Sequence, residues 1–221
     1  MSESLVRVLL LRHGEVASHR GDVPVTEHGW EVSSRAGKAL GAHPEPITVL
    51  YGGTRRTRET AEAIVAGIDD PVRASGPIDA FALRNPDIYV SGVRVNMVSS
   101  VAALAEQVPG LSEEDAAANP FFAEFIPRRD RIGWWLSHPD PPGESAGTIA
   151  DRMDAFVRSV GDPGPLHGRL VVGVTHSPVV RSVLSRGTGR DPGEPAYLSG
   201  AEILLHPDGT LTAGPYEPRD D

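Results

Sequence analysis

Apolar positions along the chain fall into two rhythms: short continuous runs, and longer stretches spaced at helical intervals. Leu5 to Leu11 is apolar throughout except for Arg7. That length and branching predict a strand buried on both faces in a parallel sheet, ending at Arg12-His13-Gly14. Thr26 and Glu27, followed by the apolar positions Trp30, Ala36 and Leu40, predict a capped helix. Ile47 to Tyr51 predicts a second strand closed by Gly52-Gly53. The stripe Ala61, Ile64, Val65 and Ile68 predicts a helix from near Thr54 to Ala66.

Between Pro71 and Gly143 the rhythm weakens. The stretches 95–107 and 112–118 are expected to be helical. Ser145 then opens a helix to Val160, with Ile149, Met153, Phe156 and Val157 on its apolar stripe and Gly161 as its stop. Leu170 to Val174 predicts a third buried strand. Behind it, Ser177 is expected as N-cap and Pro178 as first residue of a helix to near Arg186. Ala201–Leu205, the Asp208-Gly209 turn and Thr210–Ala213 predict a hairpin. Strand and helix alternate, which predicts an α/β fold with a mainly parallel sheet.

Composition narrows the class. The chain has 221 residues, 39% hydrophobic and 23% charged, as expected of a folded soluble protein. Absence of cysteine removes disulfides, thiolate metal sites and cysteine nucleophiles together. The net charge of -9 argues against a nucleic-acid partner. No apolar run approaches the roughly 18 residues of a membrane span, and the acidic start lacks a secretory pattern. The expected location is therefore cytoplasmic.

Ligands of such sheets bind outside the carboxyl ends of the strands. Three strand ends here carry polar residues able to do chemistry: Arg12-His13, then Thr54-Arg55-Arg56-Thr57-Arg58, then His176-Ser177. Three cations in the first turn of a helix oppose its macrodipole, and an anion bound there would reverse the sign of that cost. Any one of these arginines could instead be solvated or paired with Glu59 or Glu62, but at least one is expected to face the site. Of eight histidines, His19, His28, His43, His138, His167 and His206 sit among loop or polar residues, whereas His13 and His176 each follow a buried-type strand. No recognisable metal-ligand spacing accompanies them. Two imidazoles with arginines suit phosphoryl chemistry, in which histidine can itself be the nucleophile.

Leu11-Arg12-His13-Gly14-Glu15, Thr26-Glu27-His28-Gly29, Arg55-Arg56-Thr57-Arg58-Glu59-Thr60-Ala61, Gly143-Glu144-Ser145 and Thr175-His176 together resemble the histidine phosphatase superfamily, the phosphoglycerate-mutase-like proteins. The resemblance runs from about residue 5 to 185. It implies a three-layer sandwich with a mainly parallel central sheet, helices on both faces, and an inserted helical cap at about 85–142 within a single domain spanning 1–221. It further implies that His13 attacks phosphorus while Arg12, Arg56 and His176 hold the phosphoryl oxygens. Gly14, Arg20 and Ser177 are the expected substrate-binding residues, and neither metal nor cofactor is expected.

Departures from the family pattern matter. Asn85 stands where a glutamate general acid is expected, and an amide cannot deliver a proton. Asp87 is the first substitute, with Asp79 and Glu144 behind it. Gly52-Gly53 replaces the usual Ser-Pro, and the Trp-Asn often found after the first histidine motif is missing, which argues against a glycolytic mutase. Phe121, Phe122, Phe125, Trp134 and Trp135 admit two readings: a cover for an apolar leaving group, or the cap's own core or dimer contact. The expected function is a metal-independent phosphatase acting on a small phosphorylated metabolite through phosphohistidine. A phosphoglycerate-type mutase or a non-catalytic phosphate-binding or regulatory module is the alternative. The expected partner is a small-molecule phosphate ester, with no nucleic acid or membrane and with a homodimer left open.

Overall fold

β1 (Val6–Arg12) sorts its side chains by the period of two that a strand imposes, and in doing so divides the interior into two cores. Val6, Val8 and Leu10 face one, and Leu9 and Leu11 the other. The computed structural model describes residues 5–18 and 21–218. Its main sheet has six strands in the order β3 (Ala74–Asp79), β2 (Ile47–Tyr51), β6 (Leu170–Thr175), β1, β7 (Gly200–Leu205) and β8 (Leu211–Tyr216). β2 and β6 obey the same sorting, so every central strand is apolar on both sides. β3, β2, β6 and β1 are parallel, while β7 and β8 add an antiparallel hairpin on one flank.

α1 (Glu27–Gly41) and α2 (Arg55–Gly67) cover one face through Leu40, Ala61 and Ile64. They cross closely because each presents a glycine: a Cβ at Gly37 would run into the Ile64 carbonyl, and one at Gly67 into that of Ser34. The opposite face is covered by α7 (Ala146–Val160) and α8 (Ser177–Thr188), through Ile149, Met153, Val179 and Val180. The α/β sandwich with a mainly parallel sheet is thus as expected.

The segment between the two helical layers departs from its expected form. β3 (Ala74–Asp79) gave no apolar run because it is an edge strand, containing Pro77 and shifting register against β2 between Thr48 and Leu50. The helix expected over 95–107 shrinks to α3 (Val101–Ala105). Its start is displaced by a two-stranded hairpin of β4 (Ile88–Val90) and β5 (Val93–Val95), turned through Ser91 and Gly92, both at positive φ. α4 (Glu113–Ala118), α5 (Pro120–Phe125) and α6 (Arg131–Leu136) follow, N-capped by the side chains of Ser112, Asn119 and Asp130. Phe122, Phe125 and Trp135 are fully buried in the same core as Val179 and Val180, and Trp134 packs against Phe121 and Phe125. Of the two readings of these aromatics, the structure therefore supports the segment's own core.

Candidate active site

The strand register brings the two singled-out histidines together. β1 and β6 are neighbours with Arg12 opposite Thr175, so the next residues, His13 and His176, leave the sheet side by side. Their ring centroids lie 5.6 Å apart, and the His13 N–H continues the ladder to the Thr175 carbonyl at 3.0 Å. β2 flanks β6 on its other side, and the Gly52 N–H bonds the Val174 carbonyl at 3.0 Å. The Leu83 carbonyl occupies the space a Cβ at Gly52 would need, which accounts for glycine at the turn that launches α2.

Of the three arginines at that helix start, one enters the site. Arg55 pairs with Glu59 at 2.6 Å and Arg58 with Glu62 at 3.7 Å, whereas Arg56 places its Nη2 3.4 Å from His176 Nδ1. Arg12 is fixed from the opposite side. Its Nη1 donates to the Pro195 carbonyl at 2.6 Å, its Nη2 meets Glu194 at 3.1 Å, and its guanidinium lies 4.3 Å over the Tyr197 ring.

One ring contact assigns a proton. A carbonyl only accepts, so the 2.8 Å contact between His13 Nδ1 and the Gly14 carbonyl puts a proton on Nδ1, and the neutral ring carries its lone pair on Nε2. His176 Nδ1 lies 3.4 Å from Arg56 Nη2, and its Nε2 is buried without a partner. Burial holds His176 well below its ordinary value. Arg56, His13 and Arg12 act in the same direction, and contact with the Gly52 backbone opposes them. These influences favour the neutral ring. Burial also lowers Arg56, while Asp22 raises it and Arg12 lowers it further.

Six buried side-chain polar atoms among the described residues have no hydrogen-bond partner, and three of them are Arg12 Nε, Arg56 Nε and His176 Nε2. Buried donors are normally satisfied. Arg12, Arg56 and His176 line one cavity of about 130 Å³ together with His13. Asn85, Pro86, Met97 and Ile132 form a mostly apolar part of its wall, and Ser177, Pro178 and Glu194 complete it. A larger cavity of about 340 Å³ includes Arg7 and Arg169. Those cations are committed, Arg7 to Glu202 at 2.5 Å and Arg169 to Thr48 at 2.6 Å, and no histidine lines it. Among the described residues no group of three or more His, Asp or Glu side chains is placed to hold a metal ion.

Residues 8–76, which include Arg12, His13 and Arg56, match the family model of the histidine phosphatase superfamily, branch 1. Over those residues the chain is similar to the histidine phosphatase superfamily. No curated protein matches the chain by sequence. Among solved structures, a mycobacterial glucosyl-3-phosphoglycerate phosphatase superposes with a TM-score of 0.63 at 17% identity, covering 97% of this chain and 99% of its own. A phosphoglycerate mutase from Bacillus anthracis str. Sterne gives 0.60 at 17% identity, covering 95% and 92%. At such identities the likeness is one of fold.

Against the superfamily pattern, the structure brings His13, Arg12, Arg56, His176 and Ser177 to one cavity. α8 begins one residue earlier than expected, so His176 is its N-cap and the Ser177 hydroxyl turns to Glu194 at 2.6 Å. Gly14 sits behind the site. Its N–H donates to Thr60 at 2.8 Å and its carbonyl holds His13, so it orients the imidazole and does not line the cavity. Arg20 lies outside the described residues.

Asp87 is not among the cavity's lining residues; Asn85 and Pro86 are. Its carboxylate is held by Arg84 at 2.6 Å and by Arg94. Although burial raises its pKa, the bonds to these two arginines outweigh that and leave it below its ordinary value, the wrong direction for a proton donor. Glu144 is similarly engaged, accepting from Arg152 at 2.8 Å and from the Asp87 N–H at 2.8 Å. Asp79, at the end of β3, is exposed and does not line the cavity. Sequence reasoning missed Glu194 and Tyr197, which sit in a Gly-, Pro- and Asp-rich loop with no periodic signal. Met97 and Ile132 were missed because single apolar residues in an irregular segment do not announce which surface they face.

Proposed function

We propose that the protein is a phosphomonoester hydrolase working through a phosphohistidine at His13. The observation that carries this reading is the set of three unpartnered buried nitrogens, Arg12 Nε, Arg56 Nε and His176 Nε2, around a cavity lined by His13. An anion with several acceptor oxygens meets both guanidinium N–H groups at once and a protonated His176 Nε2 with them, and a phosphoryl group is the anion that a lone-pair nitrogen on His13 could attack.

In the first step His13 Nε2 forms a bond to phosphorus as the ester P–O bond breaks. Arg12 and Arg56 donate to the equatorial oxygens on which charge is spread in the transition state. His176 presents Nε2 to the same cavity. In the second step water attacks phosphohistidine, inorganic phosphate leaves and His13 is regenerated. The Nδ1–H bond to Gly14 steadies the ring through both steps. A glucosyl-3-phosphoglycerate phosphatase of the same fold has been solved with inorganic phosphate, with a TM-score of 0.62 at 18% identity, which supports anion binding in this architecture. A wall of Met97, Ile132 and Pro86 around about 130 Å³ favours a small leaving group.

Turnover of a panel of phosphate monoesters by the purified protein, followed as inorganic phosphate, tests the reading. Hydrolysis that is lost in His13→Ala supports it. Transfer of phosphate between hydroxyls of one substrate without release identifies a mutase. Binding of phosphate with no turnover of any ester identifies a non-catalytic module.

A further inference from the structure

Breaking an ester to a poor leaving group calls for a proton on the departing oxygen, and neither Asn85 nor the arginine-bound Asp87 is placed to give it. We infer that Glu194, on the loop between α8 and β7, is the proton donor and later the base of this site. The inference rests on the phosphohistidine reading and assigns it a residue from outside the segment where an acid was expected.

Among the described residues Glu194 is the one carboxylate lining the cavity that holds His13. One oxygen meets Arg12 Nη2 at 3.1 Å, and the other accepts from the Ser177 hydroxyl at 2.6 Å. It is thus tied to two residues at the phosphoryl position. About half of its side chain is exposed, at 49%, so its proton can exchange with water. Its other cationic neighbour, Arg181 on α8, is fully buried and is already occupied by Asp130 at 2.7 Å and by Asp191; Glu194 stands at the longer distance of 3.4 Å. Asp87 differs in place and exposure, since it does not line the cavity and is 14% exposed.

A phosphate ester bound by Arg12 competes with Glu194 for the same guanidinium. The proton that Glu194 hands on passes between the two anions at this shared guanidinium. The ester can bring that proton itself, because a phosphate monoester has its second ionisation at about pH 6. The Glu194 carboxyl then gives its proton to the leaving oxygen as the P–O bond breaks, producing the alcohol, phosphohistidine and the Glu194 carboxylate. In the second half-reaction the carboxylate takes a proton from the attacking water as the P–N bond breaks. Phosphate is released, and both His13 and the Glu194 carboxyl are restored.

The test compares Glu194→Gln with wild type on an alkyl ester, glycerol 2-phosphate, and an activated aryl ester, p-nitrophenyl phosphate. It uses kcat/KM, which reports events up to release of the alcohol. Glutamine keeps the shape and can still accept from Ser177. The expected result is a fall of about 10²-fold or more on the alkyl ester and of less than about tenfold on the aryl ester, the range for loss of a general acid. Equal losses on the two esters, or no loss on either, overturn the inference and leave Glu194 an electrostatic or positioning residue. Asp87→Asn is measured alongside. A leaving-group dependence that appears in that variant and not in Glu194→Gln also overturns it. Failure of wild type to form an acid-labile, base-stable phosphoenzyme with either ester instead removes the underlying reading, and this inference with it.

Discussion

Replacing Arg56 by alanine separates the chemistry of the site from the stability of the fold. Burial is the largest influence on its guanidinium, and repulsion from Arg12 adds to it, with attraction to Asp22 opposing both. Its hydrogen bonds are long, 3.5 Å to the Gly21 carbonyl and 3.4 Å to His176, and Nε has none. Bonds at that length are worth less than the usual ~1 kcal/mol, whereas an unmet buried donor costs about 1–3 kcal/mol. Allowing for lost packing of the side-chain stem, Arg56→Ala should leave stability unchanged or raised by up to about 1 kcal/mol. Activity should move the other way, by about 10²–10³ in kcat, the effect of removing one preorganised oxyanion donor. Arg56→Lys restores charge without the planar fork and should recover only part of that loss. The assay is urea unfolding with and without inorganic phosphate, alongside steady-state turnover. Phosphate at 100 times its Kd stabilises a binding-competent protein by about 2.7 kcal/mol, and this increment should shrink in the variant. An Arg56→Ala protein destabilised by more than about 2 kcal/mol, with kcat within about tenfold of wild type, would refute the reasoning and make Arg56 a structural side chain.

Asp130 caps α6 through the Gly133 N–H at 2.9 Å and also pairs with buried Arg181, so Asp130→Asn keeps the cap and removes the charge. Its bonds to Arg181 are the main cause that lowers its carboxyl from 3.8 to about 2, a shift of about 2.4 kcal/mol before screening. With 57% of the side chain exposed, about 1 kcal/mol is expected. A depressed carboxylate stabilises fully above its unfolded value, so the deficit of Asp130→Asn in urea unfolding should be complete at pH 7 and fade as pH falls from 3.8 toward 2. A deficit that grows on acidification contradicts this. Gly37→Ala drives a methyl into the Ile64 carbonyl and should cost at least about 2 kcal/mol, lowering Tm by about 4–8 °C. Gly147→Ala in α7 meets only Ser145 Oγ at 3.6 Å and should stabilise by up to about 1 kcal/mol; similar Tm changes in the two variants would show that crowding at the α1–α2 crossing is not what fixes Gly37.

How much of this was legible in the sequence depended on burial. β1, β2 and β6 are apolar on both faces, so their runs and their polar ends stood out, and with them Arg12, His13 and His176. The three-arginine cluster at the start of α2 was visible, but which arginine turned inward was not. Glu59 and Glu62, each four residues beyond a partner, took Arg55 and Arg58 and left Arg56 to the cavity. Edge strand β3 and the β4–β5 hairpin carry too few buried side chains to impose a period. Asp87 drew attention by its distance along the chain from Asn85. That distance did not reveal Arg84 and Arg94, which neutralise it, nor Glu194, which reaches the cavity from more than 100 residues away.

The central claim concerns one bond, from His13 Nε2 to phosphorus. Brief mixing of the protein with a ³²P-labelled monoester, followed by denaturing quench, reads it directly. The account predicts label on the wild-type protein that is stable to base and lost in acid, carried by the peptide containing His13 and absent in His13→Ala. Label that survives acid, or that persists in His13→Ala while turnover continues, would contradict it.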